Sequence, residues 1–255
     1  MTYSIKQELY KLVHRKISWI AAIIILFFLM LITGFALADE SKKLILTLTF
    51  DSSDFIMFIL VIVGATCFSM EFQNNTILTL LYKSSNKIYV YLSKYIVLFL
   101  YDIFLHLLAL FYTICLRYTI FNYRVNWSEL YLYHRPVWLN MITASLIDLV
   151  TTMLIIATVF LLSCLINSSA IVITASLLVT FMGQSISSDL MNGGKLVNIM
   201  KWNPFNMVDL TRQYGNYGMY VLTTHLNNQE LLVGSLIYIF IFIIVGYFIF
   251  RRKRF

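Results

Sequence analysis

The sequence predicts an all-α integral membrane protein with six transmembrane helices, on three observations. Hydrophobic residues make up 60% of the 255 positions and charged residues only 12%, roughly half the charged share of a soluble domain. Apolar runs of bilayer length alternate with short charged patches. Only 2 prolines and 9 glycines interrupt those runs, so little in them would break a helix. The same composition excludes a soluble enzyme, a disordered chain and a low-complexity chain.

The elements follow in chain order. Ile5, Leu9, Leu12, Val13 and Ile17 recur at helical spacing while Lys6, Lys11 and Arg15 fall off that stripe, which predicts an interfacial helix over residues 1–16. Apolar spans are then expected near Ile17 to Ala38, Asp54 to Met70, Tyr95 to Tyr118, Met141 to Ile166, Ala170 to Ser187 and Leu231 to Phe250. Each approaches the roughly 20 residues that a helix needs to cross the hydrocarbon. The basic start, the apolar stretch and the run Ala36, Leu37, Ala38 resemble a signal peptide with its cleavage site. That stretch exceeds the roughly 7–15 residues of a secretory signal, and five further spans follow it, so it is expected to stay as a span.

Between the second and third spans, residues 71–94 are too polar to cross and too patterned for a loose linker. Thr76 with Glu71 upstream opens a short helix carrying Ile77, Leu80 and Leu81 on one face, Ser84 and Ser85 break it, and Ser85 or Asn86 caps the next. An elbow of two short helices is therefore expected there. Residues 188–230, with Gly193, Gly194, the run Trp202, Asn203, Pro204, Phe205 and then Tyr214 to Tyr220, suit a half-inserted helix pair with aromatic rings at headgroup level.

Lys/Arg asymmetry sets the orientation. Of 19 basic residues, eleven (Lys6, Lys11, Arg15, Lys16, Lys83, Lys87, Lys94, Arg251, Arg252, Lys253 and Arg254) fall in the connecting segments on one side and seven on the other. The richer side is cytoplasmic. Both termini and the elbow are therefore expected in the cytoplasm of a multi-pass protein of the plasma membrane, and the 188–230 segment outside. The net charge of +7 fits contact with anionic lipid, and no basic stripe interleaved with aromatics points to nucleic acid. Cys67, Cys115 and Cys164 lie in apolar runs without a Cys-x-x-Cys pair, so they read as small hydrophobes and no metal site is expected.

At the elbow the residues carry a resemblance. Glu71 just after the second span, Thr76, Ile77, Leu80 and Leu81, a turn at Ser85, then Lys87 and Lys94 resemble the signature of type-2 ABC exporter permeases. Asn75 stands where that family has Gly, Ser84 where it has Pro, and Lys87 where it has Arg. In composition and length the chain is further similar to the small permeases of bacitracin and lantibiotic self-protection exporters and of the staphylococcal phenol-soluble modulin exporter. The resemblance implies a single permease domain over residues 1–255 that works beside a second permease, a copy or a paralogue, above two copies of a P-loop ATPase. It also implies that Leu78, Leu81 and Tyr82 form the ATPase-docking surface, with Glu71, Lys87 and Lys94 as its polar rim.

The chain itself has no Gly-x-x-x-x-Gly-Lys-Ser/Thr loop. ATP and Mg are therefore expected on the partner, no cofactor on this chain, and no catalysis by it. His-Glu-x-x-His and Gly-x-Ser-x-Gly motifs are absent too. An amphipathic, antimicrobial or cytolytic peptide is the expected cargo, because apolar aromatic walls offer little to a hydrophilic solute.

Three ionisable groups sit inside spans: Asp102 and His106, spaced i,i+4, and Asp148 in the fourth span. Charge in hydrocarbon is expensive, so such groups pair, face the interior or line a wet cavity. Two readings stand. One is a satisfied interhelical network. The other is a proton relay or cation lining, which makes a proton-coupled carrier the alternative function. Arg117, near the outer end of its span, is expected to snorkel. In the fifth span, Ser176, Thr180 and Gln184 mark either a translocation pathway or a dimer seam.

Overall fold

The computed structural model describes residues 1–73, 82, 86–166, 168–191 and 197–252. The elements in order are α1 Thr2–His14, a π-helical turn Ile17–Ala21, α2 Ala22–Ala36, α3 Lys42–Thr47, α4 Ser52–Gln73, α5 Lys87–Thr119, α6 Val137–Leu165, α7 Ser169–Met191, α8 Val197–Met200, α9 Leu210–Gly215, α10 Tyr217–Thr224 and α11 Asn228–Arg252. Short 3-10 turns precede α4, α6 and α9. The only strand-like pairing among the described residues is a single bridge between Leu130 and Pro136.

Five helices, at Ser18–Ala36, Thr49–Glu71, Lys87–Thr119, Val137–Leu165 and Asn228–Arg252, are long and apolar enough to cross a membrane. Bent α7, Ser169–Gly183 followed by Ser185–Met191 at 44°, makes a sixth if counted as one span. The five overlap five of the expected segments and bent α7 overlaps the other, and most helices overrun the expected ends because helical hydrogen bonding need not stop where the hydrocarbon stops.

Helix α5 departs most. The second short helix expected in the elbow does not stand alone but forms the first turns of α5, which runs unbroken for 33 residues, about 50 Å at 1.5 Å per residue. Asn86 opens it, its side chain accepting from Ile88 N at 3.3 Å. No Gly or Pro interrupts the stretch, and the charge of Lys94 within it is neutralised by partners described below, so nothing forces a break.

Helix α6 is the centre of the packing, touching α3, α4, α5, α7, α9 and α11. Ile156, Ala157 and Phe160 on it are fully buried. Helices α2 and α11 lie at the periphery, with only 24% and 22% of their apolar windows buried. On α11 the exposed Val233, Ile237, Phe240, Ile244 and Phe248 make a continuous apolar face, the surface expected where lipid rather than protein is the neighbour. Helix α1 packs along α5 with Glu8 and Leu12 inward. Trp19 donates from Nε1 to Leu12 O at 2.9 Å, tying the end of α1 to the start of the first span.

The segment after α7 is held by buried side-chain amides. Asn206 donates from Nδ2 to Lys201 O (2.7 Å) and Thr224 O (2.9 Å), while Gln213 donates to Leu226 O (2.9 Å) and accepts from Thr224 Oγ1 (2.6 Å). These bonds satisfy backbone groups that lipid could not. Gly193 and Gly194 of the expected segment lie outside the described residues. Arg117 does not snorkel: it is buried, donates to Tyr123 O and Val125 O, and stacks 3.9 Å over the Trp127 ring, because the loop after α5 folds back over it and offers it backbone carbonyls.

Helix α7 carries a close approach at Gly183, beside its bend. A Cβ at Gly183 would lie 2.8 Å from the Phe205 ring, so the turn at residues 206–209 can approach α7 only beside a glycine. Gly183→Leu is expected to cost roughly 1–3 kcal/mol by overpacking and to lower the melting temperature of the purified protein, whereas Gly218→Ala, with nothing within 4 Å of its Cβ, should leave it unchanged or slightly raised.

Candidate functional site

Two buried polar assemblies and a row of cavities organise the bundle. The first assembly lies where α1, the end of α4 and the early turns of α5 meet. Lys94 Nζ sits 2.7 Å from Glu8 Oε2 and 2.7 Å from Glu71 Oε2, and Lys11 Nζ sits 2.7 Å from Glu8 Oε1 and 2.7 Å from Glu71 Oε1. Two carboxylates and two ammonium groups thus alternate in a closed ring of zero net charge. Lys94 is fully buried, gives a further hydrogen bond to Cys67 O at 3.3 Å, and lies 5.5 Å over the Phe68 ring. Burial by itself would raise the Glu8 carboxyl, but Lys94 and Lys11 outweigh it and hold it below the ordinary glutamate value. The stabilisation from Glu8 is present above that ordinary value and is lost as pH falls through the depressed one.

Glu71 and Lys94, expected in the polar rim, are both buried, because charges this far inside the bundle need each other. Lys87 donates to Arg251 O at 3.3 Å, joining the start of α5 to the end of α11. Tyr82 is 92% exposed. Thr76, Ile77, Leu78 and Leu81 lie outside the described residues. Glu8 was missed in the sequence, where its signal was an acid within the apolar stripe of α1 and the only acid in the first 38 positions.

The second assembly brings Asp102, His106 and Asp148 together. His106 Nε2 is 3.0 Å from Asp148 Oδ2, and Nδ1 is 3.0 Å from both the backbone oxygen and Oδ1 of Asp102. Thr152 donates to Asp102 Oδ2 at 2.7 Å and Thr211 to Asp148 Oδ1 at 2.9 Å. The network therefore joins α5, α6 and α9. Thr152 and Thr211 carried no signal in sequence, since a threonine that closes a carboxylate reads like any other.

Three cavities lie nearby, of which the second is lined by Asp148, Thr152 and Thr211 of this network. One of about 180 Å³ lies between α6, α7, the 206–209 turn and α11, with Ser176 and Thr180 in its wall. A small second one shares Thr180 and Val208 with it and is also lined by Asp54, Asp148, Asp209 and Arg212. A third, of about 220 Å³, shares Asp209 and is lined by Ser185, Ser187, Ser188 and Thr223. Asp209 is buried, which pushes its carboxyl up to about 7 against the pull of Arg212. The side chain of Gln184 lies outside the described residues. Asp209 was not singled out in the sequence.

The chain is thus a multi-pass helical bundle with a buried charge ring, a second buried polar network and a set of cavities. The family model for "ABC-2 family transporter protein" matches residues 4–183, and the chain belongs to that family. It is thus the membrane component of an ABC transporter, not itself catalytic, and its family implies association with an ABC ATPase subunit. No curated protein matches the chain.

Replacing Lys94 tests the ring. Lys94→Met leaves Glu8 and Glu71 facing each other with one partner and is expected to destabilise by about 3–5 kcal/mol. Lys11→Met, at a position 32% exposed in its side chain, should cost distinctly less; thermal unfolding of both purified variants measures the difference.

Proposed function

We propose that the chain is the translocation subunit of an ATP-driven exporter in the plasma membrane. Its cargo is an amphipathic, antimicrobial or cytolytic peptide, like that of the bacitracin, lantibiotic and phenol-soluble modulin exporters it resembles. Two such permeases, identical or paralogous, stand above two P-loop ATPases that hold ATP and Mg. Both termini and residues 71–94 face the cytoplasm, and Glu71, Thr76, Ile77, Leu78, Leu81, Tyr82, Lys87 and Lys94 carry the coupling.

The observation that supports this reading most directly is the position of the charge ring within a family member that has no nucleotide-binding loop of its own. Glu71 lies three residues before Asn74 and Lys94 lies on α5 beyond Asn86, so the ring clamps both ends of the 74–85 stretch to each other and to α1. Force applied to that stretch by an ATPase is thereby passed to three helices at once. The proton-carrier alternative rests on Asp102, His106 and Asp148. Their carboxylates are already engaged by His106, Thr152 and Thr211, which favours a structural role for them.

Leu81→Asp should abolish co-purification of the ATPase and stop peptide export at matched membrane abundance, since an apolar docking contact contributes roughly 1.5–3 kcal/mol and a buried unpaired carboxylate opposes it. Unchanged co-purification and export would remove the elbow from the mechanism. Export that survives ATP depletion but collapses with the proton gradient would favour the carrier.

Orientation is checked separately. A reporter inserted at Asn86 should be cytoplasmic and one at Asn216 external; an external Asn86 would overturn the topology.

A further inference from the structure

We infer that the three cavities form one binding site for a cationic amphiphile, with the cation at Asp209, which lines two of them, and the apolar tail in the remaining one, beside Ser176. The tail end is defined by the cavity of about 180 Å³, walled by Leu154, Val159, Val179, Phe205 and Phe242. Its lining is apolar apart from a few hydroxyls. Those of Thr158 and Thr180 are spent on carbonyls of their own helices, whereas Ser176 Oγ is buried with no hydrogen-bond partner among the described residues. A buried hydroxyl left unpaired costs free energy, which an occupant carrying one polar atom in or near its tail recovers.

The head end is electron-rich. Ser188 and Thr223 give their protons to backbone carbonyls of their own helices, at 2.8 and 2.9 Å, and therefore turn lone pairs outward, toward a cavity of about 220 Å³ that Asp209 closes. Across the wall, the small cavity collects Asp54, Asp148 and Asp209 against Arg212. Arg212 lies 3.4 Å from Asp54, and Asp148 is engaged by His106 and Thr211. Among the described residues no ion pair or side-chain hydrogen bond reaches Asp209, which is 4% exposed. A buried carboxyl in that position gains more from an incoming ammonium or guanidinium group than any neighbour of its own supplies. Phe205, Val208 and Asp209 lie beyond residues 4–183, the stretch matched by the family, whereas Ser176 and most of the tail wall lie within it.

As the identification of cargo chemistry, this assignment rests on the exporter reading; as a binding site, it is measured without transport. The probe is radiolabelled octyltrimethylammonium, titrated onto the full chain in nanodiscs, with empty nanodiscs as the blank. Saturable binding of one probe per chain is expected, competed by octylammonium but not by octanol or octyl sulfate. Asp209→Asn should weaken it by roughly tenfold or more, the effect of losing a charged partner, and Ser176→Leu, which fills the tail cavity, should weaken it as well. Glu40→Gln, an exposed acid that lines none of the three cavities, should retain binding within about threefold. Equal competition by octanol, binding that does not saturate above the blank, or unchanged affinity in Asp209→Asn would overturn the site. If Asp209→Asn fails to fold, the competition series on the unmodified chain decides. Lost binding with intact ATP-driven export retires the site alone; intact binding with no ATPase partner retires the exporter reading alone.

Discussion

Hydrocarbon does not solvate charge, and most of the architecture answers to that one constraint. Lys94 has no water to turn to, so Glu8 must come from one helix and Glu71 from another to meet it, with Lys11 closing the ring. Because the four groups sit on α1, α4 and α5, neutralising the charge and assembling the helices are one event. Helix α1 is thereby an integral part of the bundle, held along its inward face by the ionic contacts and by Leu12.

The same rule acts at mid-depth with different chemistry. Asp102, His106 and Asp148 are closed by two threonines, one of which arrives from α9. The short helices after α7 are therefore packed to the depth of α6, and their buried amides cap backbone groups that would otherwise face lipid. Several buried polar atoms lack a hydrogen-bond partner among the described residues, those of Thr47, Tyr91, Arg117, Ser176 and Asn206 among them. Of these five residues, Ser176 alone lines one of the three cavities, and the buried Asp209 lines the other two.

Much of this was legible in the residues. Apolar runs of bilayer length located the long apolar helices, most of them to within about five residues and α5 eight residues late at its start, Asn86 announced the start of α5, and the i,i+4 spacing of Asp102 and His106 placed both on one helical face. The long-range partners were not legible. Glu8 and Glu71 are 63 positions apart and meet only because α1 folds along α5, and Thr211 reaches Asp148 from an aromatic stretch whose own pattern suggested only an interfacial location. Arg117 misled because snorkelling and burial beneath a loop leave the same sequence trace, an arginine near the end of a span. Periodicity reports which face is apolar; it does not report which distant segment will cover the exception.

Helix α5 has a mechanical consequence. With no glycine or proline between Lys87 and Thr119, it has no joint at which to fold, and it can only swing as a rod. From Lys94 to Thr119 the rod measures about 38 Å at 1.5 Å per residue, so a tilt of about 5° pivoted at the charged end sweeps the other end by about 3 Å. Asp102 and His106 lie part-way along it and travel a third to a half as far. A lever of those proportions turns a small rotation at the ring into a displacement as wide as a water molecule at the far surface.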